Sequence, residues 1–131
     1  MSEHYEKVQN YLLELGIKIV DTNIPEELFV VEDEENGISN LIVDCEAPIL
    51  VLEQLIMPTP AENSKLFKRL LQMNGELVHG AYTLSEDGKY VLWRDTLQLE
   101  NLDLNELEGS VRALSLAMAE HCTELLGYAR A

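Results

Sequence analysis

Apolar residues recur at Tyr5, Val8, Leu12 and Leu15, the three-to-four spacing that gathers one face of an α-helix, and Gly16 follows where such a helix would stop. This predicts an amphipathic helix over residues 3–15. Two short β-prone runs, 17–20 and 28–32, are separated by Asp21, Thr22, Asn23 and Pro25, which favour a turn. The stretch 32–37 ends in Asn36-Gly37, a pair suited to the positive φ angles of a tight hairpin, so strands are expected on both sides of it. Residues 38–46 alternate, with Leu41, Val43 and Cys45 on one side and Ile42, Asp44 and Glu46 on the other, the period of a half-buried strand. Pro48 breaks that ladder. Residues 49–57 are apolar on both parities apart from Glu53 and Gln54, which predicts a central strand or one covered on both faces.

Pro58-Thr59-Pro60 removes two backbone donors and ends this strand. A second helix is expected to follow, with Glu62 in its first turn at the positive end of the helix dipole, an apolar stripe of Leu66, Phe67, Leu70, Leu71 and Met73, and a stop at Asn74-Gly75. Residues 77–84 and 89–97 flank Ser85-Glu86-Asp87-Gly88 and read as a hairpin anchored by Trp93. Asp103 and Glu106 have capping-box spacing, and Leu104, Leu107, Val111, Leu114, Met118, Cys122 and Leu125 continue as one stripe, predicting a long third helix to about residue 126. The order α-β-β-β-β-α-β-β-α points to a single α+β domain over residues 1–131, a mainly antiparallel sheet with helices packed on it.

Charge narrows the partners. With 9 Lys+Arg against 24 Asp+Glu the 131-residue chain carries a net charge of -15, which argues against nucleic acid, whose phosphates demand clustered cations, and against an anionic membrane. Any partner is expected to be neutral or basic. At 47% hydrophobic residues the chain holds enough apolar matter for a real core. Cys45 and Cys122 lie far apart and match no disulfide framework, the opening residues lack a signal-peptide pattern, and no stretch is long enough to span a bilayer. A cytoplasmic protein with no membrane insertion is expected.

The chemistry-bearing residues form no constellation. His4, His79 and His121 lack metal-ligand spacing, and His121 and Cys122, being adjacent, diverge by about 100° on a helix. The acidic stretch 32–37 lacks the ligand order of a calcium loop. There is no nucleophile elbow and no glycine-rich phosphate turn, and Cys45 alternates with core-type residues. No catalytic site, metal or cofactor is predicted. What remains is apolar surplus: the strand at 49–57 needs cover on two faces, supplied either by the chain's own helices or in part by a second subunit or client segment.

The segments Leu71-Gln72-Met73-Asn74-Gly75, Gly80-Ala81-Tyr82-Thr83-Leu84, Asp87-Gly88, Val91-Leu92-Trp93 and the run from Leu97 to Leu107 that opens the last helix together resemble the class I type III secretion chaperone-like fold and its YbjN relatives. The resemblance spans nearly the whole chain and rests on short motifs and element order. It implies a small acidic protomer without enzymatic activity, usually a homodimer, that holds an extended segment of another protein on apolar patches. On that footing the candidates for partner contact are Tyr5, Leu12, Leu50, Leu52 and Ile56, and those for the dimer interface are Phe67, Leu70, Leu71 and Val78, each of which could equally be protomer core. A rival reading is a regulator that binds a small molecule or metal in a pocket between sheet and helices, with His79 or His121.

Overall fold

The structure, a computed structural model, describes residues 2–130. Helix α1 (Glu3–Glu14) starts at Ser2, whose Oγ accepts the Tyr5 N–H at 3.1 Å. Strands β1 (Lys18–Asn23), β2 (Leu28–Asp33), β3 (Ile38–Glu46) and β4 (Ile49–Pro58) follow, then α2 (Ser64–Asn74), β5 (Ala81–Leu84), β6 (Tyr90–Gln98) and α3 (Leu104–Ala129). The strands form one six-stranded antiparallel sheet in the order β1-β2-β3-β4-β6-β5. The class, the order of elements and the Asp103 cap, whose Oδ1 accepts the Glu106 N–H at 2.7 Å, agree with the sequence pattern.

Four boundaries differ from expectation, each for a local reason. The Asp21–Asn23 stretch is strand and not turn, because a bulge between Ile19 and Asp21 lets β1 stay paired with β2. The turn moves to residues 24–27, where Asn23 Oδ1 accepts the Glu26 N–H at 3.1 Å. Helix α2 starts at Ser64, which leaves Glu62 outside its first turn. The strand expected over 77–84 shortens to Ala81–Leu84: the Asn74 side chain accepts the Tyr82 N–H at 2.7 Å and donates to the Tyr82 carbonyl at 3.1 Å, tying β5 to the end of α2. Helix α3 runs about one turn beyond residue 126.

All three helices lie on the same face of the sheet. Tyr5, Val8 and Leu12 of α1, Leu66, Leu70 and Met73 of α2, and Leu107, Leu114 and Leu125 of α3 share one core with Phe29, Val31, Leu41, Val43, Leu50, Leu52, Val91 and Trp93 of the strands. Tyr5 stacks on Phe29 with ring centroids 4.2 Å apart and donates its hydroxyl to the Leu28 carbonyl at 3.0 Å.

In β4 the inward parity is Leu50, Leu52 and Gln54. A register shift between Leu55 and Met57 then turns Met57 inward as well. Gln54 is the polar member of this row: its Nε2 donates to the Gly37 carbonyl at 3.1 Å and its Oε1 accepts the Ser39 N–H at 3.0 Å, fixing the start of β3 against β4. Gln54→Ala would strand both backbone groups and is expected to cost about 1–3 kcal/mol. Urea unfolding checks this, as a lower midpoint at unchanged slope.

Candidate functional site

The partner-contact candidates divide sharply by depth. Tyr5, Leu12, Leu50 and Leu52 have essentially no accessible surface, because α1 and the inward parity of β4 close on each other. The reading that puts a client on them is corrected: they are protomer core, and a client could reach them only by opening it. Ile56, just past the point where β4 slips phase, is half-buried and lines a groove of about 230 Å³ with Leu55, Met118, Cys122 and Leu126. The dimer candidates divide too. Leu70 is buried under α2 and Phe67 leans against the core, so these two are corrected to core and core margin. Leu71 and Val78 project into solvent, 74% and 79% exposed. Val78 belongs to the α2–β5 loop and not to a strand.

Surface that sequence reasoning passed over lies on the sheet face opposite the helices. Strand register puts Leu28, Asp44, Val51 and Thr96 in one row across that face, Val30, Ile42, Glu53 and Arg94 in the next, and Leu55, Leu92 and Thr83 in a third. Ile42 is 37% and Leu55 57% exposed there. The signal in the sequence is the odd parity of β4, Ile49, Val51 and Leu55, whereas the partner-contact candidates Leu50, Leu52 and Ile56 are the even one. Between the two parities lies a single residue of phase, which in a strand exchanges the faces.

The titratable groups are placed for structure. His121 is buried between Tyr82, whose hydroxyl lies 2.9 Å from Nδ1, and Glu76, whose Oε2 lies 3.3 Å from Nε2, so it links α3 to the α2–β5 corner. Burial raises the Tyr82 hydroxyl well above its ordinary pKa. Arg69 makes a two-pronged ion pair with Glu124 at 2.6 and 3.1 Å and holds that carboxyl below its usual range. Burial, aided by Glu27 and Asp44, pushes the Cys45 thiol up to about 12, a proton-bearing thiol at neutral pH. Cys122 and His79 are exposed. Among the described residues no three His, Cys, Asp or Glu side chains gather as a metal site, and no helix is long and apolar enough to cross a membrane.

Asp44 is the exception to these paired arrangements. It stands on the open sheet face between Leu28 and Val51. Its Oδ1 is buried and has no hydrogen-bond partner among the described residues. Desolvation, then a hydrogen bond with the Glu46 carboxyl, then the negative charges of Glu46, Glu26 and Glu53, raise its pKa to about 6.

Solved structures of other proteins share this architecture, among them the three that follow. YbjN from E. coli superposes with a TM-score of 0.70 at 11% identity, covering 92% of this chain and 92% of that one. The HopA1–SchA chaperone–effector complex gives 0.67 at 13% identity over 92% of this chain and 94% of that one. The Yersinia pestis type III secretion chaperone SycH, in complex with a stable fragment of YscM2, gives 0.58 at 17% identity over 88% of this chain and 98% of that one. At such identities the likeness is one of fold. No curated protein matches the chain. The CesT_Tir_1 family matches residues 1–131 in full. With the type III secretion chaperone-like fold in place and the match running from end to end, the chain belongs to the CesT_Tir_1 family.

Proposed function

We propose that this protein is a non-enzymatic, chaperone-like or adaptor module that holds a segment of a partner protein on apolar surface, and that it works as a cytoplasmic homodimer. One observation carries the reading: the helices cover one face of the sheet, and the other keeps Val30, Ile42, Val51, Leu55 and Leu92 without an intramolecular cover. A monomer has no stability reason to array that many apolar residues on an uncovered face, whereas a protein that receives another chain does. Family membership and fold neighbours that include a chaperone–effector complex and a chaperone bound to a protein fragment support the same reading.

We place the dimer contact at Leu71 and Val78, the two dimer candidates that stay exposed on the protomer. Replacing Leu71 and Val78 together by glutamate removes two exposed apolar side chains and adds two charges to a surface already negative. The expected outcome is a dimer converted to monomer in light scattering, with thermal stability of the separated protomer changed by no more than about 0.5 kcal/mol per site. A wild-type protein that scatters as a monomer at all concentrations removes the homodimer from the proposal. A tagged wild-type protein that retains no protein from its native lysate removes the adaptor role.

A further inference from the structure

The open sheet face is apolar, and the charges within it are uneven. Glu53 is met by Arg94 at 3.5 Å, and Lys18 meets Glu32 at 3.4 Å near the β1–β2 edge. Asp44 has no cation: its carboxyl meets that of Glu46, two residues on in β3 and on the same face, where one hydrogen bond forms only while one of the two acids keeps its proton, and Oδ1 has no partner at all. The groups that face Asp44 from the surrounding elements are Glu46 on β3, Glu26 in the β1–β2 turn and Glu53 on β4 with its partner Arg94 on β6. One carboxylate oxygen is therefore buried and unmatched amid Leu28, Val51 and the acids around it. The face lacks a cation that the protein itself does not provide.

We propose that the open face docks an extended, cationic segment of another protein, with an arginine guanidinium set between Asp44 and Glu46 and apolar side chains at alternate positions lying on Ile42, Val51 and Leu92. This inference rests on the protein-binding reading above and names the chemistry of its partner. Charge complementarity selects that occupant. A second copy laid face to face would bring its own Asp44, Glu46 and Glu53 against these, with a net charge of -15 on each chain. A strand-like segment alternating apolar and basic residues supplies apolar contact and the missing cation together, because its side chains on one face recur every second residue. A guanidinium can bridge two carboxylates at once, which an ammonium does less well.

The energetics of Asp44 agree with a site held ready. A carboxyl whose folded pKa lies near 6, above the ordinary 3.8, favours the folded state fully while protonated, below about pH 4, and that contribution is lost as pH rises through 6. At neutral pH the ionised carboxylate therefore costs the free protein stability. Asp44→Asn is expected to raise the melting temperature at pH 7 and to leave it nearly unchanged at pH 4. A docked cation would offset the same cost.

The test uses the full-length protein and labelled synthetic peptides of about ten residues, strand length, that alternate valine with arginine, or with glutamate as the control. Fluorescence anisotropy is read at near-physiological salt. Asp44→Asn with Glu46→Gln is compared against Glu34→Gln with Glu35→Gln, which removes the same charge from the exposed 3-10 turn. The expected result is binding of the arginine peptide that falls tenfold or more in the Asp44/Glu46 variant, falls less than twofold in the control variant, and weakens as pH drops through 6. Equal loss in both variants, a sign of unspecific attraction to an acidic protein, overturns the proposal. So does equal binding of the arginine and glutamate peptides with loss in Ile42→Thr, an outcome that keeps the face as a docking surface while removing its cationic specificity. Self-association abolished by Ile42→Thr also overturns it, in favour of a second copy. Failure of the adaptor reading itself shows separately, in the lysate capture above.

Discussion

Leu52→Asp is expected to abolish folding and not to weaken the grip on a partner. Leu52 has no accessible surface, pairs with Val43 and Asp95 at the centre of the sheet and points into the core beneath the helices. Truncation to alanine at such a site costs about 2–5 kcal/mol through lost transfer energy and the cavity left behind. An aspartate adds a charge with no cation in reach, and the desolvation of an unpaired carboxylate costs several kcal/mol more. Against a total stability of roughly 5–15 kcal/mol the sum leaves little or no folded protein. Far-UV circular dichroism and light scattering at 25 °C would show an unfolded or aggregated chain. Leu55→Asp makes the same chemical change three residues along β4, at a side chain 57% exposed on the other face, and should move stability by no more than about 0.5 kcal/mol. If Leu52→Asp folds as well as Leu55→Asp, the assignment of the two faces of β4 is wrong.

That pair of residues also marks where the sequence is legible. Helix α3 is readable because a 3.6-residue period over many turns, with an Asp103 cap, has no competing interpretation. Helix α1 and the β3–β4 pair are readable for similar reasons. The boundaries that moved depend on interactions between distant segments: the bulge that keeps Asp21–Asn23 in β1 exists only because β2 lies alongside, and β5 is cut to four residues by the side chain of Asn74. No local propensity encodes either one.

The site was harder to read than the fold. Continuous apolar character in β4 announces that both faces matter and gives no phase, so Leu50 and Leu52 could not be told from Val51 and Leu55 without the pairing to β3 and β6. In α2 the stripe Leu66, Phe67, Leu70, Leu71 and Met73 is wider than the buried arc of one helix, so it contains both core and exposed members. Leu70 and Leu71, adjacent in the chain, diverge by about 100° around α2, and only Leu70 is buried. In the sequence Asp44 is an ordinary polar member of an alternating strand. Its unmatched oxygen emerges only when Leu28 and Val51 close in from β2 and β4 and bring no donor with them.

The second large effect is expected at Gly80. Its φ of 75° lies in the left-handed region, and a Cβ added there would fall 2.5 Å from Cε2 and 2.8 Å from Nε1 of Trp93. Neither neighbour can give way easily. The Trp93 indole is fully buried at the centre of the core, and the backbone at Gly80 leads straight into β5, where Tyr82 pairs with Trp93. Gly80→Ala therefore incurs about 1–2 kcal/mol for a left-handed non-glycine residue and about 1–3 kcal/mol for overpacking, about 2–5 kcal/mol together. Gly16→Ala separates the two contributions: φ there is 73° and no atom lies within 4 Å of the added carbon, so only the backbone cost of roughly 1–2 kcal/mol applies. The measurement is urea unfolding followed by the fluorescence of Trp93, the sole tryptophan. Gly80→Ala should lower the midpoint clearly more than Gly16→Ala and shift the native emission, because the indole has been displaced. Equal midpoints for the two variants would mean that the indole yields at little cost and that the α2–β5 corner, which carries Val78 and the Glu76 contact to His121, is not fastened to the core through Trp93.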